Sequence, residues 1–256
     1  MGGPGGLLID VDGVLVTAWS ALPGAADALT RLRAANVPFL LATNTTSMSR
    51  DGLAARLRDT GIDVGSDEVV TAPAITASFL RAHHPGARCH ILGEPQLGAD
   101  FEDIELVERS PDVVVVAGAD PAFTWENLSA AFRMVREGAE LVAMHRNLSW
   151  MTESGLMLDA GAFLVGLERA SGKEAVVTGK PSPAFFRECV GTLGLEPERV
   201  AMVGDDLETD VLAAQDAGLR GVLVRTGKFL PETLERSPRK PDAVIDSIAD
   251  LPELLS

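Results

Sequence analysis

The sequence predicts an α/β fold built on a parallel β-sheet. Several short runs along the chain are continuously apolar, and helical stretches separate them. Such runs are typical of strands buried on both faces of a parallel sheet, whereas half-buried strands alternate apolar and polar residues. We predict strands over residues 7–10, 37–43, 199–205 and 220–226.

Helices between these strands are predicted from apolar spacing and from residues typical of helix ends. Leu29 and Leu32 lie on one face of a helix over residues 24–35. Ser182 and Pro183 begin another helix, which Gly194 ends. Two further helices are predicted, one from Ser49 to Gly61 and one carrying Leu207, Val211 and Ala214 before Gly218.

The middle of the chain predicts a second α/β unit. Apolar runs occur over 88–93, 113–118, 140–144 and 175–180. Helices are predicted over 161–170 and from about Thr124, the latter burying Trp125, Leu128, Phe132 and Val135. We therefore predict a discontinuous core of residues 1–80 and 178–256, with an inserted α/β domain at residues 81–177.

Composition and charge exclude several classes of protein. The 256 residues carry a net charge of −15, which argues against a partner in nucleic acid or an anionic membrane surface. No apolar stretch approaches the ~20 residues of a membrane span, and MGGPGG does not resemble a signal peptide. The cytoplasm is the expected location. Cys89 and Cys189 lack zinc-binding spacing and are expected to be free thiols.

Polar residues lie at the ends of the predicted strands or directly after them, and ligands of open parallel sheets bind beyond the carboxyl ends of strands. These residues are Asp10, Asp12, Thr43, Asn44, Lys180, Asp205, Asp206 and Asp210. Two like charges ~4 Å apart repel by about 4 kcal/mol at an effective dielectric of 20, so the Asp10–Asp12 pair needs a cation nearby. The set fits phosphoryl transfer through an aspartyl phosphate with Mg²⁺.

Each residue type suits one part of that chemistry. Asp10 is predicted to be the nucleophile and a metal ligand, and Asp205 a second ligand. Asp12 is predicted to protonate the leaving oxygen and then to activate water. Charge on the transferring phosphoryl group needs fixed donors and cations, which is the role predicted for Thr43, Asn44 and Lys180.

Each piece taken alone has a purely structural alternative. The Asp10–Gly13 stretch can be a turn, Thr43 and Asn44 can make local hydrogen bonds, and Lys180 can be a solvated loop charge. Asp206 is predicted to cap the following helix or to lie beside the metal ligands without binding the metal. All four pieces in order, each after an apolar run, favour the catalytic interpretation.

The four motifs DVDGVL, ATNTT, GKPSP and GDDLETD resemble those of the haloacid dehalogenase superfamily of phosphatases. The resemblance implies a Rossmann-like core, an Mg²⁺ cofactor and the roles given above. It also implies that the backbone carbonyl of Asp12 is a metal ligand. Asp210 is implied to lie next to the metal ligands and Lys180 without binding the metal itself. The position of the insertion resembles the subclass IIA cap, and its sequence looks most like the phospholysine phosphohistidine inorganic pyrophosphate phosphatase group.

Two stretches of the inserted cap are predicted to select the substrate. His145, Arg146 and Asn147 follow a predicted strand, and Gly161 lies at a helix start, where backbone N–H groups can meet an anion. The alternatives are a structural histidine and a tight turn. The HRN and DAGA sequences here depart from the family's usual TNxD and PGTG, so the resemblance implies no particular substrate.

The sequence as a whole predicts an Mg²⁺-dependent phosphatase that acts on a small phosphorylated metabolite. Two alternatives stay open: a phosphotransferase of the same fold, and a phosphate-binding regulatory protein without turnover. Related caps often pair, which suggests a homodimer, but the sequence does not fix the oligomeric state.

Overall fold

The computed structural model describes residues 4–152 and 155–254. The strands are β1 (Gly6–Ile9), β2 (Val16–Thr17), β3 (Ser20–Ala21), β4 (Phe39–Thr43), β5 (Val69–Thr71), β6 (Cys89–Leu92), β7 (Val113–Val116), β8 (Glu140–Ala143), β9 (Ser149–Thr152), β10 (Gly155–Leu158), β11 (Val176–Val177), β12 (Val200–Gly204), β13 (Arg220–Val224) and β14 (Ala243–Ile245).

The helices connect these strands. The α-helices are α1 (Ala25–Ala34), α2 (Arg50–Asp59), α3 (Ala72–His83), α4 (Trp125–Arg136), α5 (Ala160–Ser171), α6 (Pro183–Leu193), α7 (Ala213–Asp216), α8 (Pro231–Arg236) and α9 (Leu251–Leu254). A π-helical turn covers Leu207–Leu212, and short 3₁₀ turns cover Ser66–Glu68, Gly98–Phe101, Pro197–Arg199 and Ile248–Asp250. No helix among the described residues is long and apolar enough to cross a membrane.

The chain divides into two compact units. The first unit comprises Met1–Thr43, Arg50–Val70 and Lys180–Ser256, and the second comprises Asn44–Ser49 and Thr71–Gly179. The domain boundaries predicted from the sequence, at residues 80 and 178, stay predictions.

A six-stranded sheet in the order β14-β13-β12-β1-β4-β5 forms the centre of the first unit. The pairings of β1 with β12 and β4, of β12 with β13, and of β13 with β14 are all parallel. The four strands predicted from continuous apolar runs are β1, β4, β12 and β13, the four central strands. The predicted α/β class with a parallel sheet is confirmed, because these runs are buried on both faces.

Helix ends in the first unit follow from local chemistry. The Ser182 hydroxyl accepts a hydrogen bond from the Ala184 N–H (3.3 Å) at the start of α6. Gly194 ends α6 in the left-handed region (φ 65°), which glycine adopts without a steric penalty. The buried face of α1 carries Leu29 and Leu32, as the spacing predicts.

The second unit contains a four-stranded parallel sheet, β11-β8-β7-β6, and the antiparallel hairpin β9–β10. Val114 and Val116 pack into one apolar cluster, whereas Val113 and Val115 pack into another. Because side chains alternate along a strand, this division shows that β7 is covered on both faces. The interpretation of Trp125 as buried was wrong: it is 77 % exposed and is the first residue of α4, whereas Ala131 and Val135 further along the helix are buried.

Candidate active site

Asp10 is the first residue after β1 and is held by the sheet. Its backbone N–H donates to the Val203 carbonyl of β12 (2.9 Å), which continues the parallel register beyond Ile9. The Asp10 side chain is buried, whereas Asp12 is exposed. Burial raises the pKa of Asp10, Lys180 opposes this shift, and the charge of Asp12 adds to it. The two carboxylates of the first motif therefore have different environments.

Lys180 is a buried cation held between two carboxylates. Its Nζ lies 2.8 Å from Asp10 Oδ1 and 2.8 Å from Asp210 Oδ1. Burial alone would lower the pKa of Lys180, but the charges of Asp10 and Asp210 outweigh it and raise that pKa above its ordinary value. Lys180 is therefore a fixed positive charge at this edge of the sheet.

The segment after β12 carries the remaining acidic residues. Asp206 Oδ1 accepts hydrogen bonds from the backbone N–H groups of Glu208 and Thr209, each at 3.1 Å, so it caps the π-helical turn. Asp210 lies buried within this turn, and its Oδ2 accepts a bond from the Asp206 N–H (3.3 Å). A Cβ atom on Gly204 would lie 2.3 Å from that of Asp210, so only glycine permits this approach. The segment thus brings Asp210 to Lys180.

The two oxygens of Asp205 have different surroundings. Oδ2 accepts a hydrogen bond from the Lys228 N–H (2.7 Å). Oδ1 is buried and, among the described residues, makes no hydrogen bond. Burial, then the charges of Asp10 and Asp210, raises the pKa of Asp205 to about 8. A buried carboxylate oxygen without a donor is costly unless a cation meets it.

Asp10, Asp205 and Asp210 form a cluster that suits a metal ion. Each offers an oxygen within 4.8 Å of the others, and all three residues are buried. Burial, although opposed by Lys180, raises the pKa of Asp210 to about 6. Carboxylate oxygens are the protein ligands that Mg²⁺ prefers, and Asp205 Oδ1, which makes no hydrogen bond to any described residue, is an available ligand atom. The residues present therefore fit a divalent cation.

Thr43 and Asn44 follow β4. Ile9 pairs with Leu41, so Thr43 lies at the same edge of the sheet as Asp10. Thr43 is buried and ends the strand in the first unit. Asn44 begins the short segment that belongs to the second unit. Of the predicted residues, the structure thus brings Asp10, Lys180, Asp205 and Asp210 into direct proximity and places Thr43 on their edge.

His145 is buried within the second unit. Its Nε2 lies 3.8 Å from Asp159 Oδ1, and its Nδ1 accepts a bond from the Asn147 N–H (3.3 Å). Asp159 Oδ1 also accepts a bond from the Ala160 N–H (2.7 Å) at the start of α5. His145 therefore lies beside the start of α5 and contacts the segment after β8.

Arg146 and Gly161 also have partners within the second unit. The Arg146 guanidinium pairs with the Glu168 carboxylate of α5. The Gly161 N–H donates to the Asn147 carbonyl (2.9 Å), and a Cβ atom there would lie 2.2 Å from the Arg146 carbonyl oxygen. The Gly161 N–H is thus already used. The substrate-selecting role of His145, Arg146, Asn147 and Gly161 stays a prediction.

Sequence reasoning missed the residues after β13. Thr226 ends a predicted strand and Gly227 and Lys228 follow it, which is the position that the motif residues have at other strands. The Lys228 backbone N–H donates a hydrogen bond to Asp205. The rule that ligands bind beyond the carboxyl ends of parallel strands also applies to this segment. Its contribution is made by the backbone, however, which side-chain chemistry does not reveal.

The parallel sheet, with buried aspartates and a lysine at its carboxyl edge, is the arrangement to compare with known proteins. A model described as haloacid dehalogenase-like hydrolase matches residues 7–106, and a second, HAD-hydrolase-like, matches residues 177–251. The rat phospholysine phosphohistidine inorganic pyrophosphate phosphatase is 34 % identical over 261 residues, covering 100 % of this chain and 95 % of the relative. The human haloacid dehalogenase-like hydrolase domain-containing protein 2 is 38 % identical over 223 residues, 87 % of this chain and 85 % of the relative.

Solved structures agree with these relatives. The 4-nitrophenylphosphatase of Thermotoga maritima superposes with a TM-score of 0.91 at 34 % identity, covering 99 % of this chain and 98 % of that one. NagD of E. coli K-12 superposes with a TM-score of 0.89 at 30 % identity, covering 97 % and 98 %. The chain therefore belongs to the haloacid dehalogenase-like hydrolases, in their nitrophenylphosphatase-type branch, subclass IIA. The predicted Rossmann-like core with a cap is confirmed.

Proposed function

We propose that the protein is an Mg²⁺-dependent phosphatase that hydrolyses a small phosphomonoester through an aspartyl phosphate on Asp10. One observation carries the proposal: buried Asp10 is paired with Lys180 beside Asp205, whose Oδ1 is buried and makes no hydrogen bond within the described part of the chain. The names of the relatives support the reaction class, since they include phosphatases of small phosphorylated compounds.

Asp10 acts as the nucleophile. One of its carboxylate oxygens forms a bond to phosphorus while the bond from phosphorus to the leaving oxygen breaks. A carboxylate nucleophile splits one difficult hydrolysis into two easier steps. Lys180 supports this role because its charge opposes the rise in the pKa of Asp10 that burial causes, and so favours the ionised form. The fixed ammonium group also offsets charge on the transferring phosphoryl group.

Asp12 acts as the general acid and then as the general base. It gives a proton to the leaving oxygen in the first step, which releases the alcohol or other product. In the second step it takes a proton from water as the water oxygen attacks phosphorus, which releases phosphate and restores Asp10. The exposed position of Asp12, in contrast to Asp10, suits exchange of protons with substrate and water.

The carboxylates of Asp10 and Asp205 and the backbone carbonyl of Asp12 would hold Mg²⁺. When bound, the ion neutralises negative charge on the phosphoryl oxygens and on the buried carboxylates. Asp210 and Asp206 support these ligands without binding the metal. Asp210 forms an ion pair with Lys180, and Asp206 caps the π-helical turn. Thr43 and Asn44 donate hydrogen bonds to the phosphoryl group.

Two alternatives lead to different products. A phosphotransferase would pass the phosphoryl group to an acceptor other than water, and a regulatory protein would bind phosphate without turnover. The intact Asp10 and Asp12 favour an enzyme over a binder. The subclass IIA type of cap favours water as the acceptor.

Phosphate release from a panel of phosphorylated metabolites, with Mg²⁺ and with chelator, tests the proposal. The panel includes p-nitrophenyl phosphate, pyridoxal phosphate, phosphoglycolate, nucleotides, sugar phosphates and pyrophosphate. We expect Mg²⁺-dependent release of free phosphate from one or a few compounds. Phosphate that appears only on an acceptor would support the transferase, and binding of phosphate without any turnover would support the regulator.

The expected homodimer stays a prediction. Light scattering on the purified protein measures its mass directly, and a mass twice that of the 26.9 kDa chain would confirm the dimer. A mass equal to that of one chain would contradict it.

A further inference from the structure

The segment that follows β13 lies outside the four motifs and contacts the acidic cluster. β13 pairs with β12 in parallel, and Gly204 lies opposite Leu223, so residues after Val224 emerge at the same edge as Asp205. We propose that Thr226, Gly227 and Lys228 form a positioning loop, which fixes the Asp205 carboxylate in the orientation that binds the metal. This inference rests on the proposed function.

The first contact of the positioning loop is a backbone hydrogen bond. The Lys228 N–H donates to Asp205 Oδ2 at 2.7 Å. This bond occupies one carboxylate oxygen and leaves Oδ1, which is buried and accepts no hydrogen bond from the described residues. Asp205 also belongs to the cluster with Asp10 and Asp210. The loop therefore selects which oxygen is available as a ligand.

Two glycines enclose the same oxygen. A Cβ atom on Gly227 would lie 1.9 Å from Asp205 Oδ2, and one on Gly13 would lie 2.0 Å from it. Both distances are far below van der Waals contact, so a side chain at either position would displace the carboxylate. Gly227 also has a φ of 60°, which L side chains adopt rarely. Oδ2 thus occupies a slot that exists only because both residues lack Cβ atoms.

The two sides of the slot are tied together. The Thr226 hydroxyl donates a hydrogen bond to the Gly13 carbonyl at 2.5 Å. This bond joins the positioning loop to the turn that carries Asp10 and Asp12. The spacing of the two glycines, and hence the orientation of Asp205, depends on it. Groups that hold metal ligands in place commonly change metal affinity about 10- to 100-fold when they are mutated.

Binding of Mg²⁺ to Gly227→Ala tests the slot without any assay of turnover. We expect the Mg²⁺ dissociation constant, measured by isothermal titration calorimetry, to rise about 10- to 100-fold. Gly194→Ala is the matched control, because Gly194 belongs to the same unit and has a similar φ (65°), but a Cβ atom there meets nothing within 4 Å. The control carries the same backbone strain and should bind Mg²⁺ as the wild type does.

Thr226 provides a second test that adds no atoms to the slot. Thr226→Val removes the hydrogen bond to Gly13 and is expected to weaken Mg²⁺ binding, whereas Thr226→Ser keeps a hydroxyl and should restore it. Melting temperatures of all variants in chelator measure the stability of the fold separately. A purely structural role would lower those temperatures without changing the Mg²⁺ dissociation constant of the folded protein.

The outcomes separate this inference from the proposed function. If the wild type binds Mg²⁺ and both Gly227→Ala and Thr226→Val bind it equally well, the positioning role is overturned while the phosphatase proposal stands. If the wild type itself binds no divalent cation, the metal site of the proposed function fails. Weaker binding in both variants, with normal binding in Gly194→Ala and Thr226→Ser, is the result that we expect.

Discussion

At the scale of a single residue, the carboxylate of Asp205 shows why the acidic cluster suits a cation. The Lys228 N–H satisfies one oxygen, and nothing among the described residues donates to the other. Asp10 and Asp210 share Lys180 as a counter-ion, so among the described residues the three buried carboxylates have one buried ammonium group beside them. Burial and neighbouring negative charges disfavour the ionised form of a carboxylate, so its pKa rises and it holds a proton at higher pH.

A neutral side chain at position 205 should stabilise the metal-free protein at high pH. The pKa of Asp205 is raised to about 8, whereas an aspartate in the unfolded chain titrates near 3.9. Between these values the folded state holds a proton that the unfolded chain has released. The free energy of unfolding of the wild type therefore falls as pH rises from about 4 to about 8, by up to about 1.4 kcal/mol per pH unit. Below about pH 4 this contribution to stability is fully present.

Urea denaturation in chelator measures this effect. We compare the free energy of unfolding of Asp205→Asn with that of the wild type. This difference should favour the variant by roughly 2–4 kcal/mol more at about pH 8 than at about pH 5. Asp27→Asn, an exposed change on α1, controls for loss of a surface carboxylate. A constant difference between Asp205→Asn and the wild type across this range would contradict the raised pKa.

Asp12 offers a second test at the same scale. We expect Asp12→Asn to bind Mg²⁺ as the wild type does, because the metal contact proposed for this residue is its backbone carbonyl. Turnover should fall about 10²- to 10⁴-fold, since the general acid and base is lost. Steady-state phosphate release and calorimetry measure the two properties, and unchanged turnover would refute the acid–base assignment.

Residue chemistry was predictable from the sequence where side chains themselves make the site. The order of the motifs after apolar runs predicted that Asp10 and Lys180, which lie far apart in the chain, belong to one site, and in the structure they form an ion pair. The slot around Asp205 was not predictable, because glycines and a backbone N–H form it. The sequence also left open whether His145 is buried. Only tertiary packing decides whether a histidine after a strand is covered by its own unit or exposed to a substrate.

The π-helical turn is the feature of the fourth motif that matters at the scale of an element. The apolar spacing predicts one helix carrying Leu207, Val211 and Ala214, and the structure divides it into the π-helical turn and α7. The Val211 N–H reaches back to the Asp206 carbonyl (3.3 Å), five residues away. Wide turns of this kind are frequent at functional sites, and this one holds Asp210 at Lys180.

The cap of this turn should contribute measurable stability. Asp206→Ala removes the acceptor for the N–H groups of Glu208 and Thr209, and we expect a loss of about 1 kcal/mol relative to Asp206→Asn, which keeps an oxygen there. Both variants remove the same negative charge, so their difference isolates the cap. Urea denaturation in chelator measures it, and equal stability of the two variants would contradict the capping role.

Elements with a strong pattern were predicted, and those without one were not. The central strands follow from continuous apolar runs, and α6 follows from its serine, proline and glycine. The hairpin β9–β10 was missed because several of its apolar side chains, including Leu156 and Leu158, are exposed, so no burial pattern marks it. Trp125 was misassigned because helical spacing alone does not say whether the first residue of a helix is covered by its neighbours.

At the scale of the whole molecule, the two units are expected to divide chemistry from substrate choice. The acidic cluster and Lys180 belong to the first unit, whereas Arg146 and its partner Glu168 belong to the second. A chain with a net charge of −15 that acts on anionic phosphates also needs local cations. Lys180 supplies one of them in the first unit.

Changes at Arg146 should therefore alter substrate preference more than catalysis itself. For Arg146→Ala we expect the ratio of kcat/KM between two substrates to change by about tenfold. Glu168→Gln is the control, because it weakens the ion pair but keeps the arginine. Kinetics on the two best substrates of the panel measure the ratio, and an equal loss on every substrate would contradict a role in selection.

The central claim is that Asp10 carries the phosphoryl group, and trapping the acyl phosphate tests it most directly. The enzyme is quenched with acid during turnover of p-nitrophenyl phosphate with Mg²⁺, and borohydride then reduces any aspartyl phosphate to homoserine, which peptide mass spectrometry locates. We predict homoserine at position 10 of the wild type only when substrate is present, and neither homoserine nor phosphate release in Asp10→Asn. Homoserine at another position, or phosphate release by Asp10→Asn at the wild-type rate, would contradict the account.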